Sequence, residues 1–215
     1  MKWRWKLAQA VEIRWWKNYL GKQSPSLYLE KKKAYWERVL NTIDLKLKPG
    51  ETVLDAGCGP AGIFMVLPEQ KVDAVDTLLD QYEGLDGFFR KADYPYVIFH
   101  ASTLEGFPSD KQYDTVFCLN AINHVENIEK GMDRLVELTR IDGRLIISVD
   151  AHNYSFFKHL FRLIPGDILH PHQYNVSEYK QMLLDRSCQI DQCVRLKKQF
   201  FFDYYIISAK KSNHG

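Results

Sequence analysis

Long apolar runs are missing from this 215-residue chain: no stretch approaches the roughly 18 consecutive apolar residues of a membrane span. The N-terminus, MKWRWKLAQAVEIRWWKNYL, mixes charges throughout where a signal peptide needs an apolar segment. The sequence therefore predicts a cytoplasmic protein. Cysteine is scarce, and Cys58, Cys118, Cys188 and Cys193 are scattered with no CxxC pair. That argues against a zinc ribbon or a disulfide framework and predicts four reduced thiols. Internal repeats and low-complexity segments are also absent, so the chain reads as one core with an appendage.

The charge that is present is unevenly placed. The net charge of +2 divides into 12 Lys/Arg against 4 Asp/Glu over residues 1–48 (+8) and 17 against 23 over the remainder (−6). All five tryptophans, Trp3, Trp5, Trp15, Trp16 and Trp36, lie in the basic front. Cationic and aromatic side chains together suit membrane headgroups, an anionic partner or nucleic acid. The plainer alternative is that the tryptophans pack a helical cap onto the body while the lysines stay solvated.

Leu7, Val11, Trp15 and Tyr19 recur at helical spacing before Gly21, predicting an amphipathic helix over 3–20 with that stripe as its apolar face. Ser24 and Pro25 form a helix start, and Leu29, Trp36, Val39, Leu40 and Ile43 give the second helix its stripe. After KPG at 48–50 the texture changes to short β-rich runs, TVLDA, VDAVD, YVIFH, DTVFCL and RLIISV, alternating with helix-like stretches. Helices are expected near 155–163 and 177–187, the latter capped by Ser177, followed by the strands CQIDQCVRL and FFFDYYIISAK. The alternation predicts an α/β fold with a doubly wound, Rossmann-like, mainly parallel sheet. Residues 1–47 are expected to form a helical cap and residues 48–215 the ligand-binding domain.

The first predicted strand runs into LDAGCGPAG, where Gly57, Gly59 and Gly62 fit GxGxxG and Asp76 follows Gly57 by 19 residues. Glycines at such a turn admit close approach of a ligand, and a carboxylate at the tip of the second strand accepts both hydroxyls of a ribose. Taken alone, this also fits a dinucleotide site. Asp55 discriminates, because a carboxylate two residues before the first glycine suits a ligand with an ammonium group better than a pyrophosphate.

VLDAGCGPAGI resembles the glycine-rich first motif of class I S-adenosylmethionine (SAM) dependent methyltransferases. VDAVDTLLD is similar to the acidic motif of their second strand, YDTVFCLNAINHVEN to their fourth strand and its loop, and GRLIISV to their fifth strand. The resemblance covers about residues 48–210. It implies a seven-stranded sheet with an antiparallel last strand, SAM as cofactor and S-adenosylhomocysteine as product. It also implies that Gly57, Cys58 and Gly59 line the methionine end, with Asp55 nearby, that Asp76 holds the ribose, and that Thr77 and Leu78 flank the adenine. Where many relatives carry an Asp for the adenine amino group, this chain has Ser102, with Thr103 and the Leu104 backbone as equal candidates. Asn120 would complete the wall near the methionine.

Methyl transfer needs alignment of a nucleophile with the methyl group and exclusion of water. A hydroxyl acceptor also benefits from a base of near-neutral pKa, for which histidine is suited. His124 stands where relatives carry the second His of LHHV and is one candidate; its alternative role is to shape the loop. His172, in HPHQY at 170–174, is the other, with His170 and Tyr174 as substrate contacts and Trp16 contributing from the cap. His170 and His172 with Asp150 and His152 could be assembled into a zinc or iron set. An HxH pair is common by chance, however, and the expectation is no metal. Two functions remain in view. One is transfer of a methyl group to a hydroxyl, amine or carboxyl of a small or lipid-like molecule, with the N-terminal helix touching the inner membrane surface. The other is a non-catalytic binding module or a nucleic-acid methyltransferase that uses the basic front. NAIN in place of an (N/D)PP(Y/F) loop makes nucleic acid the weaker reading.

Overall fold

The computed structural model describes residues 2–85, 87–152, 174–198 and 202–213. Two compact units divide it, Met1–Phe107 and Pro108–Gly215. Seven strands are shared between them, in the order β3-β2-β1 in the first and β4-β5-β7-β6 in the second.

The first unit opens with helices α1 (Lys2–Leu20) and α2 (Pro25–Thr42). Ser24 precedes α2 in an extended conformation and Pro25 occupies its first turn, where a missing N–H costs nothing. Strands β1 (Thr52–Ala56), β2 (Lys71–Val75) and β3 (Val97–His100) pair in parallel, with Leu54 opposite Asp73 and Ala74 opposite Phe99. Val53, Leu54, Ala74 and Val75 are fully buried, so neighbouring residues on opposite faces of these strands are both covered. A short helix α3 (Leu79–Tyr82) follows β2. Phe64 sits edge-on to Phe89, Tyr94 and Phe99, and such pairs contribute about 0.5–1.5 kcal/mol each beyond area burial.

In the second unit β4 (Tyr113–Leu119) and β5 (Thr139–His152) run parallel, whereas β7 (Phe202–Lys211) lies antiparallel between β5 and β6 (Cys188–Lys197). The expected mainly parallel, seven-stranded sheet with an antiparallel last strand is therefore found. Helix α4 (Ile128–Leu138) is capped by Asn127, whose side chain accepts the Lys130 N–H. Its last carbonyls are met by Lys211, whose Nζ donates to Val136 and Thr139 at 2.8 and 2.7 Å. Arg186 reaches Glu129 and Asp133 of α4 at 2.6 Å each and so ties it to α5 (Val176–Leu184).

One local expectation needs correction. The N-cap of α5 is Asn175, not Ser177: Asn175 Oδ1 accepts the Glu178 N–H at 3.0 Å and Glu178 Oε2 accepts the Asn175 N–H at 2.8 Å. This reciprocal box satisfies two helix-end donors, which a serine in the first turn cannot do. On α1 the apolar stripe is the outer one, with Val11, Trp15 and Tyr19 exposed by 40%, 49% and 43%. The inward face carries Glu12, Trp16 and Leu20 instead, and Leu20 is fully buried. The helix expected near 155–163 lies outside the described residues.

Candidate active site

The turn after β1 is built from backbone donors and two carboxylates. Gly57 and Gly59 hold φ of 73° and 59°, a region that favours glycine. Gly57 and Cys58 direct their N–H groups to the Val75 carbonyl at 2.7 and 3.2 Å, and Gly59 donates to Asp76 Oδ2 at 2.9 Å. The end of β2 thus pins the turn that leaves β1. Asp76 Oδ1 takes the Leu78 N–H at 2.8 Å, and the Tyr82 hydroxyl donates to the same carboxylate. Burial raises the Asp76 pKa, opposed by these three hydrogen bonds.

Asp55 faces the other side of the turn. Its Oδ2 accepts the Phe64 N–H at 3.2 Å, with a further bond from the Ile63 N–H. A Cβ at Gly62 would fall on this carboxylate and on the Cys58 carbonyl, so only glycine fits there. Burial pushes the Asp55 pKa up to about 7, and the Asp76 charge adds to the rise while the two N–H groups oppose it. The Cys58 thiol is driven well up by burial and by both carboxylates, so it stays protonated and is no nucleophile. From α2, Trp36 Nε1 donates to the Ala61 carbonyl at 2.9 Å and anchors the far end of the turn.

The mouth of the turn faces α1. A Cβ at Gly59 would meet only Trp16 Cζ2, at 4.0 Å, so open space lies over the glycine beneath the indole. Trp16 sets its edge against Tyr82 with ring centroids 6.2 Å apart, and its indole N–H bonds the Glu12 carboxyl. Burial, then the charge of Asp76, pushes the Glu12 pKa up to about 7, against the pull of that hydrogen bond. After β3, Ser102 donates its hydroxyl to the Thr103 carbonyl at 3.1 Å, Thr103 Oγ1 accepts the Gly106 N–H at 3.0 Å, and Leu104 is buried.

In the second unit the loop after β4 starts at Asn120, whose φ of 55° is left-handed, a conformation its short polar side chain tolerates. Its N–H donates to the Ser148 carbonyl and Oγ at 3.0 and 2.9 Å, and Ser148 Oγ lies 2.6 Å from the Tyr204 hydroxyl. Asn123 is buried, and its Oδ1 accepts the Tyr179 hydroxyl at 2.5 Å. Tyr174 packs edge-on to Tyr179. Half-buried His124 closes the short 3-10 turn Ile122–His124, its N–H on the Ala121 carbonyl.

The methyltransferase-domain family matches residues 28–192 of the chain. The chain belongs to the class I SAM-dependent methyltransferases. It is similar to a ubiquinone biosynthesis O-methyltransferase of Rickettsia typhi, 30% identical over 184 residues, covering 75% of this chain and 74% of that one. With the Rickettsia akari protein of the same name it shares 32% identity over 122 residues, 56% of this chain and 45% of the other. In fold it is similar to magnesium protoporphyrin IX methyltransferase of Synechocystis, solved with S-adenosylhomocysteine bound, at a TM-score of 0.59 and 21% identity, over 86% of this chain and 83% of that one.

The methyltransferase uses SAM as its methyl donor, and the glycine turn fits that cofactor: two positive-φ glycines, an open side at Gly59, and a carboxylate at the end of β2. Of the residues singled out from sequence, Gly57, Cys58, Gly59, Asp76 and Leu78 are brought together at this turn. Asp55 adjoins it but turns its carboxylate inward. Trp16, expected among substrate contacts, stands over Gly59. Asn120, His124 and Tyr174 belong to the second unit. His170 and His172 lie outside the described residues, as does the side chain of His152, so only Asp150 of the four metal-ligand candidates is described. Sequence reasoning missed Glu12 and Tyr82, and it did not foresee the hydrogen bond between Tyr179 and Asn123. Glu12 alone left a signal, a single acid one helical turn before Trp16 in an otherwise basic helix.

Proposed function

We propose that this methyltransferase acts on a hydroxyl oxygen of a small, lipid-like molecule taken from a membrane surface. The observation that carries the lipid-like acceptor is the exposed Val11, Trp15 and Tyr19 stripe on a helix of the basic front, a surface suited to headgroups and apolar tails. Trp15 and Tyr19 stack at 4.9 Å, presenting one flat apolar face. The O-methyltransferase relatives support oxygen as the acceptor atom.

Bound SAM supplies a methyl group on a sulfonium sulfur that leaves as a neutral thioether. The chain's residues do the rest. In this reading residues 1–47 cap the domain of residues 48–215. The Gly57–Gly59 turn receives the methionine end, with Asp55 bracing the turn from behind; Asp76 accepts from the ribose, Thr77 and Leu78 flank the adenine, and Ser102, Thr103 and Leu104 meet its edge. Asn120 closes the methionine side. His124 or His172 takes the hydroxyl proton on a ring nitrogen as the oxygen attacks, and His170 and Tyr174 hold the acceptor. Incubation with SAM and matched long-chain and short-chain phenols, amines and carboxylic acids, read by mass spectrometry, tests the proposal. Methyl ether on the long-chain phenol is expected. Exclusive methylation of the amine or acid, or equal rates for both chain lengths, would overturn it. Loss of most turnover in His124→Gln or His172→Gln, with S-adenosylhomocysteine affinity retained, identifies the base.

A further inference from the structure

Among the described residues, one buried side-chain polar atom has no hydrogen-bond partner: the hydroxyl of Tyr28. Tyr28 is 4% exposed and packs edge-on to Tyr19 and Phe88, with ring centroids 6.3 and 5.6 Å away. A buried hydroxyl is costly to leave unpaired.

One helical turn further along α2 stands a cation in a similar condition. Lys32 is half-buried, and its Nζ lies 5.9, 5.7 and 5.5 Å from the ring centroids of Tyr28, Tyr35 and Trp36. The rings favour the charge but give its N–H groups no oxygen to bond. No acid among the described residues pairs with it. Burial lowers the Lys32 pKa. A positive charge and a hydroxyl donor, four residues apart on one face of α2 and both short of an acceptor, suit an anion with two oxygens.

Trp36 fixes where this pair lies. The indole beneath Lys32 donates its Nε1–H to the Ala61 carbonyl at 2.9 Å, two residues after Gly59. From the other side Trp16, which stands over Gly59, reaches Tyr28 through Tyr19, with successive centroid distances of 6.2 and 6.3 Å. The turn itself, DAGCGPAGIF at 55–64, contains no basic side chain. A carboxylate arriving there finds its counter-charge outside the turn, and α2 carries one beside it.

We propose that Lys32 and Tyr28 form a carboxylate site which receives the α-carboxylate of SAM, the ammonium and the hydroxyl each donating to it. The proposal rests on SAM occupying the Gly57–Gly59 turn, and it makes α2 the element that recognises the amino-acid end of the cofactor.

Isothermal titration of the full-length protein with S-adenosylhomocysteine and with its decarboxylated analogue, in which hydrogen replaces the carboxylate, tests it. Lys32→Met keeps an apolar stem among the three rings and removes the charge. It is expected to weaken S-adenosylhomocysteine by about tenfold and the analogue by less than about twofold. Tyr28→Phe removes only the unpartnered hydroxyl, so the fold loses no hydrogen bond. It is expected to weaken S-adenosylhomocysteine by about threefold to tenfold, again sparing the analogue. Unchanged S-adenosylhomocysteine affinity in either variant, or an equal loss for both ligands, overturns the carboxylate site while leaving the cofactor turn intact. Unchanged affinity with turnover lost only for acceptors that bear a carboxylate gives the anion site to the acceptor and likewise overturns the proposal. A wild-type protein that binds neither ligand overturns the cofactor turn itself. Circular dichroism shows that each variant is folded, and should Lys32→Met fail to fold, Tyr28→Phe carries the test alone.

Discussion

The Gly59 N–H donates to Asp76 Oδ2 at 2.9 Å, so the carboxylate that ends β2 also holds the turn that follows β1. One side chain therefore holds the turn, and in the proposed reading it also meets the cofactor ribose. Asp76→Asn keeps the size but leaves a single acceptor oxygen for the Gly59 and Leu78 N–H groups. Titration calorimetry should show S-adenosylhomocysteine binding weakened by at least about 30-fold. Urea unfolding should show a loss of about 1–3 kcal/mol, the cost of a partly buried donor left without a partner.

At Gly62 the limit is steric rather than conformational. A Cβ there would press on the Asp55 carboxylate and the Cys58 carbonyl, and the carbonyl, being backbone, cannot swing aside. Gly62→Ala should destabilise the protein by about 2–4 kcal/mol and distort the turn enough to abolish S-adenosylhomocysteine binding. Thermal unfolding followed by circular dichroism, with calorimetry on the folded fraction, checks both.

The acids at this turn set a pH dependence of definite sign. Glu12 is raised from the ordinary 4.5 to about 7 by burial and by Asp76, and Asp55 is raised from 3.8 to about 7 mainly by burial. In both cases the folded chain holds a proton that the unfolded chain has already released. Stability is therefore highest below the unfolded values and declines as pH rises from about 4 to 7. Glu12→Gln removes the Glu12 part of this slope and leaves that of Asp55. Relative to wild type it should gain about 2 kcal/mol between pH 5 and pH 8, measured by urea unfolding at the two values.

On the outer face of α1, replacing Trp15 and Tyr19 by serine removes the exposed aromatic stack and leaves Glu12 and Trp16 in place. Co-sedimentation with vesicles of phosphatidylcholine and phosphatidylglycerol should fall by about tenfold. Affinity for S-adenosylhomocysteine should stay within about twofold. Equal sedimentation of wild type with neutral and anionic vesicles, or with neither, would remove the membrane surface from the proposal.

The glycine turn, Asp76 and the succession of strands were legible because each follows from local chemistry. A positive φ calls for glycine at 57 and 59, and a strand with both faces covered places neighbouring apolar residues such as Val53 and Leu54 side by side. The cap of α5 was misplaced by two residues because Asn175 and Ser177 are both good caps, and the reciprocal bond with Glu178 selects the first.

Periodicity shows that α1 is a helix but not which way it faces. Val11, Trp15 and Tyr19 share the four-residue spacing of Glu12, Trp16 and Leu20, and only a partner surface can choose between the two stripes. The turn at Gly59 and the ring of Tyr82 receive Trp16, and with it comes a carboxylate that apolar patterning would have assigned to solvent. Asp55 is a second such case. Its place before Gly57 is plain in the sequence, but only the folded chain directs its carboxylate onto the N–H groups of Ile63 and Phe64. Residue type and spacing are local properties, whereas the direction of a buried acid depends on which donors the fold brings within about 3 Å of it.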